Sequence, residues 1–151
     1  MRGKIFTHEE ANRMLPLVSR IADDIVATYV KVHGVLREFE AEKARDISPD
    51  VSADASTNPA AGSSPDHSSR LGLLDAEIAR LLDRFQGLIE EIEALGGTVK
   101  DYERGCIDFY GEIDGEIVYL CWQRGEDSIS FWHRLEEGYA DRQPIPVHSA
   151  A

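Results

Sequence analysis

Two segments of this chain carry apolar residues at steps that alternate between four and three without a break. In the first they are Ala11, Leu15, Val18, Ala22, Ile25, Tyr29, Val32, Leu36 and Phe39. In the second they are Leu74, Ile78, Leu81, Phe85, Leu88, Ile92 and Leu95. A repeat averaging 3.5 residues lays one apolar seam along a helix, whereas a strand needs period two. Two such seams can zip together, so the spacing predicts a long, antiparallel, coiled-coil-like helical hairpin.

The boundaries follow from local chemistry. Thr7 and Glu10 make the T-x-x-E capping box that starts a helix, and Glu9 and Glu10 suit the positive end of its dipole. The first helix is expected over 7–44, kinked at Pro16, with Gly34 a second weak point. Residues 45–69 are rich in Ser, Ala, Asp and Pro and nearly lack large apolar side chains. Such a stretch buries too little surface to offset its chain entropy, so it is expected to be a disordered linker. A second helix is expected over 70–95, ended by Gly96 and Gly97. A first helix of this length reaches roughly 50 Å, more than a small sheet can cover. The exposed remainder of its seam predicts a homodimer, with a four-helix core as one arrangement.

An antiparallel sheet is expected over 98–134, giving an α+β fold of helical hairpin followed by a three-stranded β-meander. Thr98 to Tyr102 is a candidate fourth, edge strand. CIDFYGEI and EIVYLCWQ flank Asp114-Gly115, a two-residue type I′ hairpin signal. That turn sets Ile113 opposite Glu116, Tyr110 opposite Tyr119, Asp108 opposite Cys121 and Ile107 opposite Trp122. Ile107, Phe109, Val118, Leu120 and Trp122 then face the helices. Cys106, Asp108, Tyr110, Ile117, Tyr119, Cys121 and Gln123 face the other way. For the third strand, about Ser128 to His133, apolar parity places Ile129 and Phe131 beside Leu120 and Trp122. His133 then falls on the helix side and Trp132 on the other, unless a bulge near Gly111 or Gly125 reverses the parity. The tail, 135–151, is expected to fold back over one face, and the whole chain of 151 residues to form a single domain.

The formal net charge is −12 with no Lys/Arg cluster, which argues against nucleic acid and anionic membrane surfaces as partners. No apolar run approaches a membrane span or a signal peptide, and two cysteines make no disulfide framework, so a cytoplasmic setting is expected.

Five stretches, FTHEEANRMLP, GGTVKDYERGCIDF, VYLCWQRGED, FWH and GYADRQPI, resemble the uncharacterised prokaryotic domain-of-unknown-function family 2203. The resemblance implies a small bacterial or archaeal protein and carries no catalytic role. It directs interest to Glu10, Asn12, Asp108, Cys121, Trp122, Glu126, Trp132, His133 and Arg142. Cys106 and Tyr110 depart from it, standing where Leu and Pro are expected.

Each candidate residue also has a plain structural reading. Cys106 and Cys121 lie diagonally in the register, too far apart for a disulfide, and strand thiols are most often small buried hydrophobes. Asp108, inside a strand, needs a partner such as Arg142 or Arg124 if covered. His133 among apolar neighbours is most often a satisfied core histidine. Phosphate loops, nucleophile elbows and dinucleotide fingerprints are absent from the sequence.

Two function classes remain. The first is a non-enzymatic, dimeric binding or adaptor protein. Its ligand or partner face would be the aromatic and polar sheet side, with Asp108, Tyr110, Tyr119, Cys121, Trp132 and Arg142. The second is a small metal-dependent protein or enzyme. There Asp108, Glu126 and His133, with Glu10 from the helix start, hold a divalent metal ion while Arg142 holds an anion.

Overall fold

The computed structural model describes residues 4–46 and 65–146. Most of the expected linker, 47–64, and the end of the tail, 147–151, lie outside the described residues. Among the described residues, three helices precede the sheet: α1 (His8–Arg13), α2 (Leu15–Asp46) and α3 (Pro65–Ala94). Thr7 accepts the Glu10 N–H, and the Glu10 carboxylate accepts the Thr7 N–H, completing the capping box. The helix expected over 7–44 divides at Met14, whose N–H turns back to the Ala11 carbonyl. Pro16, two residues on, has no N–H with which to continue the ladder.

The chain forms two compact units, Thr28–Phe85 and the combination of Met1–Ala27 with Gln86–Ala151. In the first, the chain segments of α2 and α3 run antiparallel. Tyr29 meets Phe85 at 6.1 Å between ring centroids, and Glu42 meets His67 at 2.6 Å. Val32 and Leu81 are buried, while Val30, Leu36, Leu73 and Leu82 are exposed.

The second unit holds the sheet and its core. Five antiparallel strands follow one another in space as in sequence: β1 (Gly97–Asp101), β2 (Cys106–Ile113), β3 (Glu116–Gln123), β4 (Phe131–His133) and β5 (Gln143–Pro144). The meander therefore has five strands, not three. β1 is the candidate edge strand. β5 comes from the tail and has two residues, one of them a proline, so no alternation announces it. The hairpin is as the sequence predicts, with Asp114 (φ 52°) and Gly115 (φ 82°) both left-handed and all four expected β2–β3 pairs present.

Ile107, Phe109, Val118, Leu120 and Trp122 are all buried on one side of the sheet, as expected. Ile107 and Phe109 lie beside Ile92 of α3: a Cβ on Gly97 would come within 3.1 Å of all three. Phe6 bonds the Tyr110 carbonyl through its N–H at 2.8 Å, just past the end of β1, and sets its ring edge-on to Phe109.

The third hairpin strand departs from expectation. β4 begins only at Phe131. Its register sets Phe131 opposite Cys121, Trp132 opposite Leu120, and His133 opposite Tyr119. Trp132 is thus on the core side and His133 on the polar side, the reverse of the parity reading. The cause is tertiary. Ile129 is fully buried, but α1 holds its backbone: Asn12 Oδ1 accepts the Ile129 N–H at 2.7 Å, and His8 Nε2 donates to its carbonyl. The irregular step through Ser130 puts two core residues three apart, and the strand alternation restarts at Phe131.

Gly111 is a test of how closely the hairpin packs. A Cβ there would lie 2.5 to 2.8 Å from the Leu120 side chain, which is itself buried. Gly111→Ala should destabilise the protein by about 1–3 kcal/mol, measured as a lowered urea midpoint with an unchanged slope.

Candidate functional site

The polar side of the sheet is built by the β2–β3 register. Because Asp114-Gly115 closes a two-residue turn, Asp108 and Cys121 are directly opposed, and Tyr110 opposes Tyr119. The β4 register then adds His133 beside Tyr119. Lys100 arrives from β1, where it is the extra residue at a register shift between Val99 and Asp101.

Asp108, Cys121 and His133 are the buried centre of this polar face. Asp108 and His133 are each only 1% exposed. Asp108 Oδ2 lies 3.0 Å from His133 Nε2 and accepts the Lys100 ammonium at 3.1 Å. The second carboxylate oxygen, Oδ1, is buried and has no hydrogen-bond partner. Such an orphaned acceptor is costly and marks a place where something is wanted.

His133 poses a sharper problem. Its Nδ1 lies 2.9 Å from the Arg134 carbonyl, which can only accept, so Nδ1 carries a proton. In a neutral ring, Nε2 would then aim a lone pair at a carboxylate oxygen. The contact is attractive if a proton lies between Nε2 and Oδ2, or if a cation sits between the two groups. A backbone carbonyl on one nitrogen is also the usual way a protein orients a metal-binding imidazole.

Cys121 completes the group. One ligand atom from each of Asp108, Cys121 and His133 lies within 4.8 Å of the other two, and all three residues are buried. Burial, and next the Asp108 charge, push the Cys121 thiol well above its ordinary value, with Arg142 opposing in part. Burial and the Asp101 charge push Cys106 up to about 11. Both thiols are free. Their raised values argue against a reactive nucleophile.

A cavity of about 330 Å³ opens on this cluster, lined by Lys100, Asp101, Cys106, Asp108, Cys121, His133, Glu137, Gly138 and Tyr139. The last three belong to the tail, which lies on this side as a short 3₁₀ turn, Tyr139–Asp141. Along the sheet, the Tyr110 and Tyr119 rings stack at 5.2 Å, and the Lys100 ammonium sits 3.9 Å from the Tyr119 ring centroid. Burial, helped by Tyr110, pushes the Tyr119 hydroxyl up to about 12.

The other candidates sit elsewhere. Arg142 is on the polar side, its guanidinium 4.1 Å from both the Phe131 and Tyr139 ring centroids. It donates two hydrogen bonds, 3.2 and 2.9 Å, to the Glu126 carboxylate. Glu126 also accepts the Gln123 N–H, and its carbonyl accepts the Trp122 indole, so it closes the turn after β3. Glu10 is engaged in the capping box. Trp132, on the core side, is not part of the polar face. Lys100 was not singled out from the sequence; it stands where the β1–β2 register shifts.

The family model for an uncharacterized conserved protein, DUF2203, matches residues 4–145. The chain belongs to this family. Comparison with curated proteins and with solved structures found no match. The DUF2203 match spans every element that builds the polar cluster, from α1 through β5.

The raised thiol values have a consequence for stability. A thiol whose folded value is above its unfolded one stays protonated in the fold while the unfolded chain ionises. Its stabilising effect is complete below the unfolded value near 9 and is lost as pH rises toward the folded value, about 11 for Cys106. Urea midpoints should fall between pH 9 and pH 11, and Cys106→Ala combined with Cys121→Ala should flatten that fall.

Proposed function

We propose that this DUF2203 protein binds a transition-metal cation of the zinc class through Asp108, Cys121 and His133. One oxygen, one sulfur and one nitrogen donor suit a borderline ion such as Zn²⁺ better than Mg²⁺ or Ca²⁺, which take oxygen. The observation that carries the reading is His133: one nitrogen is fixed by the Arg134 carbonyl and the other is aimed at the Asp108 carboxylate. A metal ion in place of the shared proton, on Asp108 Oδ2, resolves that contact. Tetrahedral ligation at about 2.0–2.3 Å sets donors about 3.3–3.8 Å apart. The widest separation in the cluster, up to 4.8 Å, closes by about 1 Å on loading.

Three protein ligands leave a fourth position, which faces the cavity. Open three-ligand sites are those in which a metal can polarise or exchange a bound molecule. Glu126 and Glu10 are left out because their carboxylates already serve Arg142 and the helix start. Protein purified without chelator should hold about one equivalent of zinc by elemental mass spectrometry, following from the single such cluster among the described residues. Cys121→Ser and His133→Ala should each lower zinc affinity at least about tenfold while circular dichroism is retained. Metal-free protein that takes up no zinc at micromolar concentration would overturn the proposal.

A second reading concerns assembly. In the unit Thr28–Phe85, Val30, Leu36, Leu73 and Leu82 leave apolar side chains exposed, Leu73 by 70%. That exposure supports a homodimer through the coiled-coil-like helices. Light scattering behind size exclusion should give twice the chain mass, and a strictly monomeric protein would remove this reading.

A further inference from the structure

We infer that the metal-loaded cavity takes a small monoanion such as a carboxylate, with Lys100 as its counter-charge. The inference rests on the metal reading above and goes on to the class of ligand at the open position.

Lys100 is the resident cation of the site. Its ammonium bonds Asp108 Oδ2 at 3.1 Å, beside the position a metal would occupy, and its side chain is 38% exposed and lines the cavity. A divalent ion on Asp108 is a stronger competitor for the carboxylate than a solvated ammonium, so loading displaces Lys100 from that oxygen. Lys100 has a second anchor. Its ammonium already sits 3.9 Å from the Tyr119 ring centroid, and a cation–π contact does not depend on the Asp108 carboxylate. The displaced ammonium therefore stays at the cavity with free N–H donors.

With a divalent ion, one carboxylate and one thiolate, the ligand shell is neutral, and Lys100 places a positive charge directly beside it. Two other carboxylates line the cavity, and both are engaged. Asp101 Oδ1 accepts the N–H groups of Glu103 and Arg104 at 2.9 and 2.8 Å. Glu137 Oε1 accepts the Arg134 N–H at 2.9 Å, and its other oxygen lies 3.8 Å from the Arg134 guanidinium. Both are thus oriented by neighbouring N–H groups and not by Lys100.

Co²⁺ in place of Zn²⁺ makes the coordination sphere visible. The full chain is loaded with Co²⁺ and titrated with acetate, following the visible absorption bands. Acetate is expected to change the Co²⁺ spectrum of the wild type saturably. In Lys100→Met the acetate affinity should fall about tenfold, the worth of one hydrogen bond to a charged group, while Co²⁺ itself binds more tightly because its competitor is gone. Tyr119→Leu should weaken acetate without tightening Co²⁺ to the same degree. A Co²⁺-loaded protein whose spectrum ignores acetate, or responds equally in Lys100→Met, overturns this inference and leaves the metal site standing. A chain that binds no Co²⁺ or Zn²⁺ overturns both.

Discussion

A carboxylate in the middle of a covered sheet has to be paired or neutralised, and the polar side of this sheet is organised around that requirement at Asp108. Its two neighbours across the strands are Cys121 on one side and Thr98 on the other, neither of which carries a balancing charge. Charge arrives diagonally from both directions, with Lys100 from the edge strand and His133 from β4. The aromatic residues around it follow. Tyr119 lies under Lys100 and beside His133, and Tyr110 stacks on Tyr119. Arg142 lies on the same side but serves another carboxylate, that of Glu126, clamped between two rings. The face thus has two charge systems, the Glu126–Arg142 pair and the cluster around Asp108, which meet where Arg142 acts on Cys121.

How much of this was legible depended on the range over which each feature is decided. The Thr7–Glu10 box, the Asp114-Gly115 turn and the β2–β3 register are local: each is settled by residues within a few positions of one another, and each was readable. The two faces of β2 and β3 followed from the turn alone. β4 was misread because its parity is decided by α1, through the grip of Asn12 and His8 on Ile129. Apolar alternation treated Ile129 and Phe131 as one strand, yet Ile129 is held outside the ladder. That single step moved His133 next to Asp108 and Trp132 into the core. β5 left no pattern because two residues cannot alternate. Lys100 was overlooked because the β1–β2 register contains a shift at that residue.

The same geometry separates the two roles that cysteine can play here. Cys106 and Cys121 share a face and are both buried, yet only Cys121 stands directly across from Asp108. Burial raises both thiols, which keeps them protonated and quiet in the absence of a metal. A thiol of this kind becomes a strong ligand only when a cation replaces its proton, so its chemistry is conditional on what the neighbouring carboxylate and imidazole hold.

The clamp of α1 on Ile129 joins residues 117 positions apart in the chain. Loop closure over such a distance is slow relative to hairpin formation. The β2–β3 hairpin, with Asp108 and Cys121 already opposed, can therefore form early and on its own. His133 has no defined side of the sheet until the first helix has docked. Asp108, Cys121 and His133 therefore meet only where that long-range contact is made, and not in the hairpin alone.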